Sequence, residues 1–162
     1  MSRRKPYQKK EFESSGVSSD TSANIFASMM TSDAWMTLTA SQKLLYVYCK
    51  AQYFGEKRKP KLLEGVSGLE DKSPDLIFTM NKAKWCGLYG LYKGNNDKGF
   101  IRDMSALIDK GFVRCLIDGA VNRTRSVYEY SSMWRKYGTN EFKVELREKT
   151  SAMRGVRKRL KE

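Results

Sequence analysis

The chain is predicted to fold as an α+β domain, and three observations predict it. Residues 95–111, NNDKGFIRDMSALIDKG, place apolar side chains at the spacing of one helical face. A second helical pattern precedes them across a short turn containing Gly94. Two strand patterns follow, joined by a hairpin-type Asp118-Gly119 turn that carries two arginines.

Taken in order, residues 1–24 read as a disordered arm. Its first ten residues hold five cations and no anion, and the later SSGVSSDTS has too little apolar surface to fold. Order is expected from Ile25, with Ile25, Phe26 and Met29 starting a helix or strand that packs on the core. Ser32-Asp33-Ala34-Trp35-Met36 forms one capped turn that buries Trp35. Thr39 opens the first clear helix, because Gln42 three residues on completes a capping box. Leu44, Leu45, Val47, Tyr48 and Ala51 supply its apolar face, and it should run to about Tyr53. Residues 54–75 then form a long polar loop containing Lys57, Arg58 and Lys59 and the breakers of GVSGLEDKSP. A loop that long in a compact domain is either functional or mobile.

Leu76 to Met80 is a short buried strand, and Asn81 caps a helix from Lys82 to about Leu91 with Trp85, Leu88 and Tyr89 inward. Tyr92-Lys93-Gly94 makes the turn. In the next helix Asn95 or Asn96 supplies the N-cap oxygen, Asp97 suits the positive end of the helix dipole, and Gly111 takes the left-handed position at the C-terminus. Phe100, Ile101, Met104, Leu107 and Ile108 form the inward stripe, while Lys98, Arg102, Ser105 and Lys110 occupy the opposite face. Alone, that pattern describes an ordinary amphipathic helix with a solvated outer side. Its neighbours change the reading. Phe112 to Ile117 is a strand, residues 118–125 a turn carrying Arg123 and Arg125, and Ser126 to Tyr130 the returning strand. Ser131 or Ser132 then caps a turn that buries Met133 and Trp134, and Tyr137-Gly138 closes the domain. The tail, residues 139–162, is basic and can be helical from about Ser151. Helix, strand, helix, turn, helix, strand, basic hairpin, strand is the order of a winged helix-turn-helix, here spanning residues 25–138 with flexible basic N- and C-terminal arms.

Charge is distributed unevenly. Lys and Arg number 31 against 18 Asp and Glu, a net charge of +13. Residues 1–10 contribute +5, residues 54–62 contribute +3 and residues 139–162 contribute +4, so nearly all the excess lies in the arms and one loop. Cations held there can grip a polyanion without straining a core. The three cysteines, Cys49, Cys86 and Cys115, are widely spaced in apolar contexts and read as buried reduced thiols of a cytoplasmic protein. There is no signal-type apolar segment and no stretch of about 18 apolar residues, so neither export nor a membrane span is expected.

Enzymatic chemistry finds little to work with. The chain has no histidine, which excludes His-based acid–base and nucleophilic schemes and makes a zinc site improbable. It has neither a GxxxxGK[ST] loop nor a GxGxxG fingerprint, and Gly87, Gly90 and Gly94 are too irregular for a phosphate cradle. A nicking tyrosine would need metal ligands, and the usual His cluster is absent. A protein that is not an enzyme, with no cofactor or metal, is therefore expected.

Three segments carry a family resemblance. They are SDAWMTLTASQKLLYVYCKAQY, the tight turn before a helix ending in ALIDKGFV, and the arginine hairpin before SVYEYSSMW. Together they resemble the winged-helix domains of mobile-element DNA proteins, namely plasmid replication initiators and conjugative relaxosome accessory proteins of Gram-positive bacteria. The resemblance covers about Ile25 to Gly138. The long cationic loop before the first strand departs from it and leaves open whether that loop touches DNA or a partner protein. What it implies is binding of double-stranded DNA in replication initiation or DNA transfer, with a relaxase or replication protein as a possible partner.

On that reading Asn95, Asn96, Lys98, Arg102 and Ser105 lie nearest the base edges in the major groove. Arg123 and Arg125 reach the flanking minor groove or its phosphates. Arg3, Arg4, Lys5, Lys57, Arg58, Lys59, Arg157, Lys158 and Arg159 add salt-sensitive backbone affinity. Asp97, Asp103 and Asp109 on the same helix oppose it, since carboxylates facing phosphate weaken binding. The alternatives are a transcriptional repressor or a winged-helix protein-interaction module using Tyr128 and Tyr130, although core packing is the simpler role for both tyrosines.

Overall fold

Two hydroxyl caps start the folded part of the chain. A computed structural model describes residues 12–13, 22–53, 69, 72–73, 75–80, 90–92, 97–119 and 126–144. In it α1 (Ala27–Met30) and α2 (Asp33–Met36) are single turns, and Ser32 Oγ accepts from the Trp35 N–H to begin the second. Thr39 then opens α3 (Ala40–Lys50) with the reciprocal capping box expected of it. The Thr39 N–H donates to Gln42 Oε1 at 2.9 Å and the Gln42 N–H donates to Thr39 Oγ1 at 3.4 Å. Strand β1 (Ile77–Thr79), helix α4 (Asp97–Asp109), strands β2 (Val113–Ile117) and β3 (Val127–Tyr130) and a 3-10 helix (Met133–Lys136) complete the order. The architecture is α+β: helices on one face of a small antiparallel sheet.

The sheet runs β1-β3-β2, with both pairings antiparallel. Alternation along the strands divides its side chains between two clusters. Phe78, Tyr128, Val113 and Cys115 join the main core with α3 and α4, while Ile77 and Val127 pack with Leu69 on a second, smaller cluster. A register shift between Cys115 and Ile117 allows Leu116 and Ile117 both to pack on that second cluster. Buried Glu129 lies opposite Ile77 and Arg114 and takes Arg114 Nη1 at 3.3 Å and Lys72 Nζ at 3.9 Å. Tyr130 donates its hydroxyl to the Cys49 carbonyl and stacks on Phe78, tying the sheet to α3. Tyr128 and Tyr130 of β3 thus both pack on the main core.

Several expected details differ. The inward face of α3 is Leu45, Tyr46 and Cys49, with Leu44 on the outside, and the helix ends at Lys50, three residues short of Tyr53. The aromatic at position 46 wins the inward place because it fits beside Trp35 and Phe112. Met29 is buried and Ile25 half-buried, but Phe26 between them is 68% exposed. Met133 and Trp134 are only half-buried, and Ser131 rather than Ser132 accepts from the Met133 N–H. Of the helix predicted from Lys82, only Gly90 and Leu91 are described, and neither is helical; residues 81–89, including its proposed cap and inward aromatics, lie outside the described residues.

The end of α4 organises the core. Gly111 takes φ 77°, and the Phe112 and Gly111 N–H groups donate to the Leu107 and Ile108 carbonyls at 3.0 Å, the two bonds of a Schellman ending. This reversal drops Phe112, fully buried, among Trp35, Tyr46 and Trp134. The Trp134 N–H donates to the Gly111 carbonyl at 2.9 Å, so the 3-10 helix sits directly on the turn. A Cβ at Gly111 would lie 2.7 Å from the Trp134 nitrogen and 2.8 Å from the Met133 carbonyl carbon, both backbone atoms that cannot swing aside. Gly111→Ala combines a left-handed backbone with that clash and should destabilise the fold by about 2–4 kcal/mol. Urea unfolding with an unchanged m-value and a lowered midpoint is the expected result.

Candidate nucleic-acid interface

α4 packs against α3 and β2, which decides which of its faces meets solvent. Phe100, Met104, Leu107 and Ile108 point into the core. Lys98, Ile101, Arg102 and Asp109 are exposed and Ser105 is half-buried, a single outward stripe at i, i+3, i+4, i+7 and i+11. Lys98, Arg102 and Ser105 thus share one side of the helix. Ile101 joins them at 53% exposure, against the expectation that it belongs to the core stripe. Each residue turns an α-helix by about 100°, and Ile101 sits on the rim of the apolar arc, where composition alone cannot say which side of the boundary it takes. Its company is a usable signal: Lys98 and Ser105, three before and four after, are both polar.

Asp103 makes the opposite move. Expected among the carboxylates that would repel phosphate, it is instead fully buried. Tyr92 donates its hydroxyl to Asp103 Oδ2 at 2.7 Å, and Arg102 Nε donates to Oδ1 at 2.9 Å. Burial by itself would raise the Asp103 carboxyl, but the bonds from Arg102, Tyr92 and Ser41, with the Arg102 charge, outweigh it and hold the group below its usual range. The buried arc of α4 is therefore displaced toward Asp103 and away from Ile101.

Lys110 also differs from its expected outward role. Its ammonium donates to the Tyr137 hydroxyl and lies 4.4 Å from the centre of that ring, which fastens the end of α4 to the segment after the 3-10 helix. That hydrogen bond lowers the Tyr137 phenol from its ordinary value. Asn95 and Asn96, directly before α4, lie outside the described residues, as do Arg123 and Arg125 between β2 and β3. So do the arm and loop cations Arg3, Arg4, Lys5, Lys57, Arg58, Lys59, Arg157, Lys158 and Arg159. Cys49 and Cys115 are buried thiols, and burial pushes the Cys49 thiol up, which suits an inert packing role; Cys86 lies outside the described residues. No helix among the described residues is long and apolar enough to cross a membrane.

Comparison with protein-family models, with curated proteins and with solved structures finds no match.

The buried carboxylate makes stability depend on acid. A folded-state pKa below the unfolded one of about 4 contributes stability that is complete above that value and lost as pH falls through the depressed one. Asp103→Asn, which cannot titrate, should be less stable than the parent at neutral pH yet lose less stability between about pH 5 and pH 2. Denaturant melts of both proteins across that range measure the difference.

Proposed function

We propose that this protein binds duplex DNA through a winged-helix domain, with α4 as the helix that enters the major groove. The observation that carries the reading is the outward face of α4. There Lys98 and Arg102 flank an exposed isoleucine while Asp103, the carboxylate between them and the far end of the helix, is withdrawn into the core. From Lys98 to Ser105 that face holds two cations, a hydroxyl and one apolar side chain, with the exposed Asp109 only at the far end of the helix, and this matches what a major groove offers: guanine acceptors, phosphates and thymine methyl groups. The element order α3, β1, α4, β2, β3 and the sheet order β1-β3-β2 support the winged-helix assignment. Asn95 and Asn96 would extend the reading surface at the N-terminus of α4, and Arg123 and Arg125 would serve as the wing. A role in replication initiation or transfer of a plasmid or conjugative element, beside a relaxase or replication protein, follows from the family resemblance.

Charge favours this reading over a protein-docking module. Residues 95–136 hold eight cations against five anions, and one of those anions is the buried Asp103. Tyr128 and Tyr130, which a docking wing would present, are spent on the core.

Two measurements test the proposal. The 17 cations of residues 1–10, 54–62 and 139–162 should make affinity steeply salt-dependent. If several touch phosphate, doubling the salt should weaken binding severalfold, and an affinity that is flat between low and physiological salt refutes duplex binding. On a duplex selected by the protein itself, Arg102→Ala should cost roughly 1–3 kcal/mol, and much less on random duplex. An unchanged ratio between the two duplexes would remove α4 from the reading role.

A further inference from the structure

We infer that Asp103 is a positioning residue that aims the Arg102 guanidinium at a base edge; the inference rests on the duplex-DNA reading above. Neighbouring residues on a helix point about 100° apart, so an exposed arginine and a wholly buried aspartate do not meet by default. Here they do: Arg102 folds back so that its Nε lies 2.9 Å from Asp103 Oδ1, while its side chain stays 70% exposed. The carboxylate has little freedom of its own. Tyr92, from the segment before α4, holds Oδ2 at 2.7 Å. Tyr92 is fixed in turn by burial and by edge-on packing against Phe100.

The geometry suits guanine recognition. Of the five N–H donors of a guanidinium, the bond to Asp103 uses only the one on Nε. The two terminal nitrogens keep a planar fork, and guanine O6 and N7 are read by such a fork. A long side chain held before binding loses less freedom on binding, so the buried carboxylate raises discrimination without touching DNA. It also gives a reason for a charge at this position. A buried carboxylate is a poor way to stabilise a core, because its desolvation offsets much of what its partners return. A lysine at 102 would offer no Nε and no fork.

The experiment is a double-mutant cycle on the full chain. A duplex is selected from a random library with the wild-type protein. Affinity for it and for a scrambled duplex is then measured for Arg102→Ala, Asp103→Asn, the double variant and Tyr92→Phe. Wild type should prefer the selected duplex, and Arg102→Ala should lose roughly fivefold or more of that preference. Asp103→Asn should lose about threefold or more of the preference when Arg102 is present and nothing further when it is not. A purely structural aspartate would change preference equally in the two backgrounds, and that result overturns the inference. So does a folded Asp103→Asn protein with full preference. Should Asp103→Asn fail to fold, Tyr92→Phe removes one tether of the same carboxylate and should show a smaller, still Arg102-dependent loss; full preference there overturns the inference as well. Wild type without any preference refutes sequence-specific duplex recognition itself, whereas a preference indifferent to Arg102→Ala leaves duplex binding standing and removes only the positioning role.

Discussion

A helix cannot hand its next residue sideways into a core without reversing its backbone, and in this protein the reversal happens at Gly111. At φ 77° the residue after it, Phe112, lands fully buried where α2, α3 and the 3-10 helix meet, touching Trp35, Tyr46 and Trp134. Burial of an aromatic of that size is worth about 3–5 kcal/mol, against about 1 kcal/mol for a helix cap such as Thr39. Burial therefore stabilises more than the cap does, but the glycine decides whether it can be realised. The same turn receives the Trp134 N–H, and the Ser131 N–H donates to the Phe112 carbonyl, so the chain after β3 docks back on the residue pair that started β2. One backbone conformation thus sets the helix end, the strand start and the seat of the final turn.

The candidate interface is a consequence of that anchoring at both ends of α4. At the N-terminal half, Tyr92 and the buried Asp103 fix the rotation of the helix; at the C-terminal end, Gly111 and the Lys110–Tyr137 contact fix its termination. Between them Phe100, Met104, Leu107 and Ile108 fill the core, which leaves Lys98, Ile101, Arg102 and Ser105 outward on a rigid element. Recognition surfaces gain precision when they stand on packed helices. The sheet contributes rigidity rather than chemistry. Its two faces are divided between two clusters, and the ion pairs of Glu129 with Arg114 and Lys72 close the side away from the main core.

Electrostatics change once the helix is seen in place. Read as a string, α4 carries carboxylates and cations in near balance. Folded, one carboxylate disappears into the core and draws an exposed guanidinium against the helix. The Arg102 charge on the outward face is thus paired with a carboxylate held in the core, and most of the excess charge of the chain is carried by residues 1–10, 54–62 and 139–162.

Local signals were legible in the sequence because they are local. The Thr39–Gln42 capping box, the Ser32 cap that buries Trp35, the left-handed Gly111 and the three strands each depend on residues within a few positions of one another, and all are present in the fold. The α+β class follows from their order. What composition could not decide was the rotation of each helix about its own axis. A hydrophobic count places Ile101 inside and Asp103 outside, yet the packed helix has them reversed, and α3 buries Tyr46 in preference to Leu44. Those choices rest on partners outside each helix: Tyr92 for Asp103, Trp35 and Phe112 for Tyr46. A polar side chain is buried when distant groups satisfy its hydrogen bonds, and an apolar one is left outside when no neighbour covers it. Both conditions are properties of the assembled fold, so only the tertiary structure decides them.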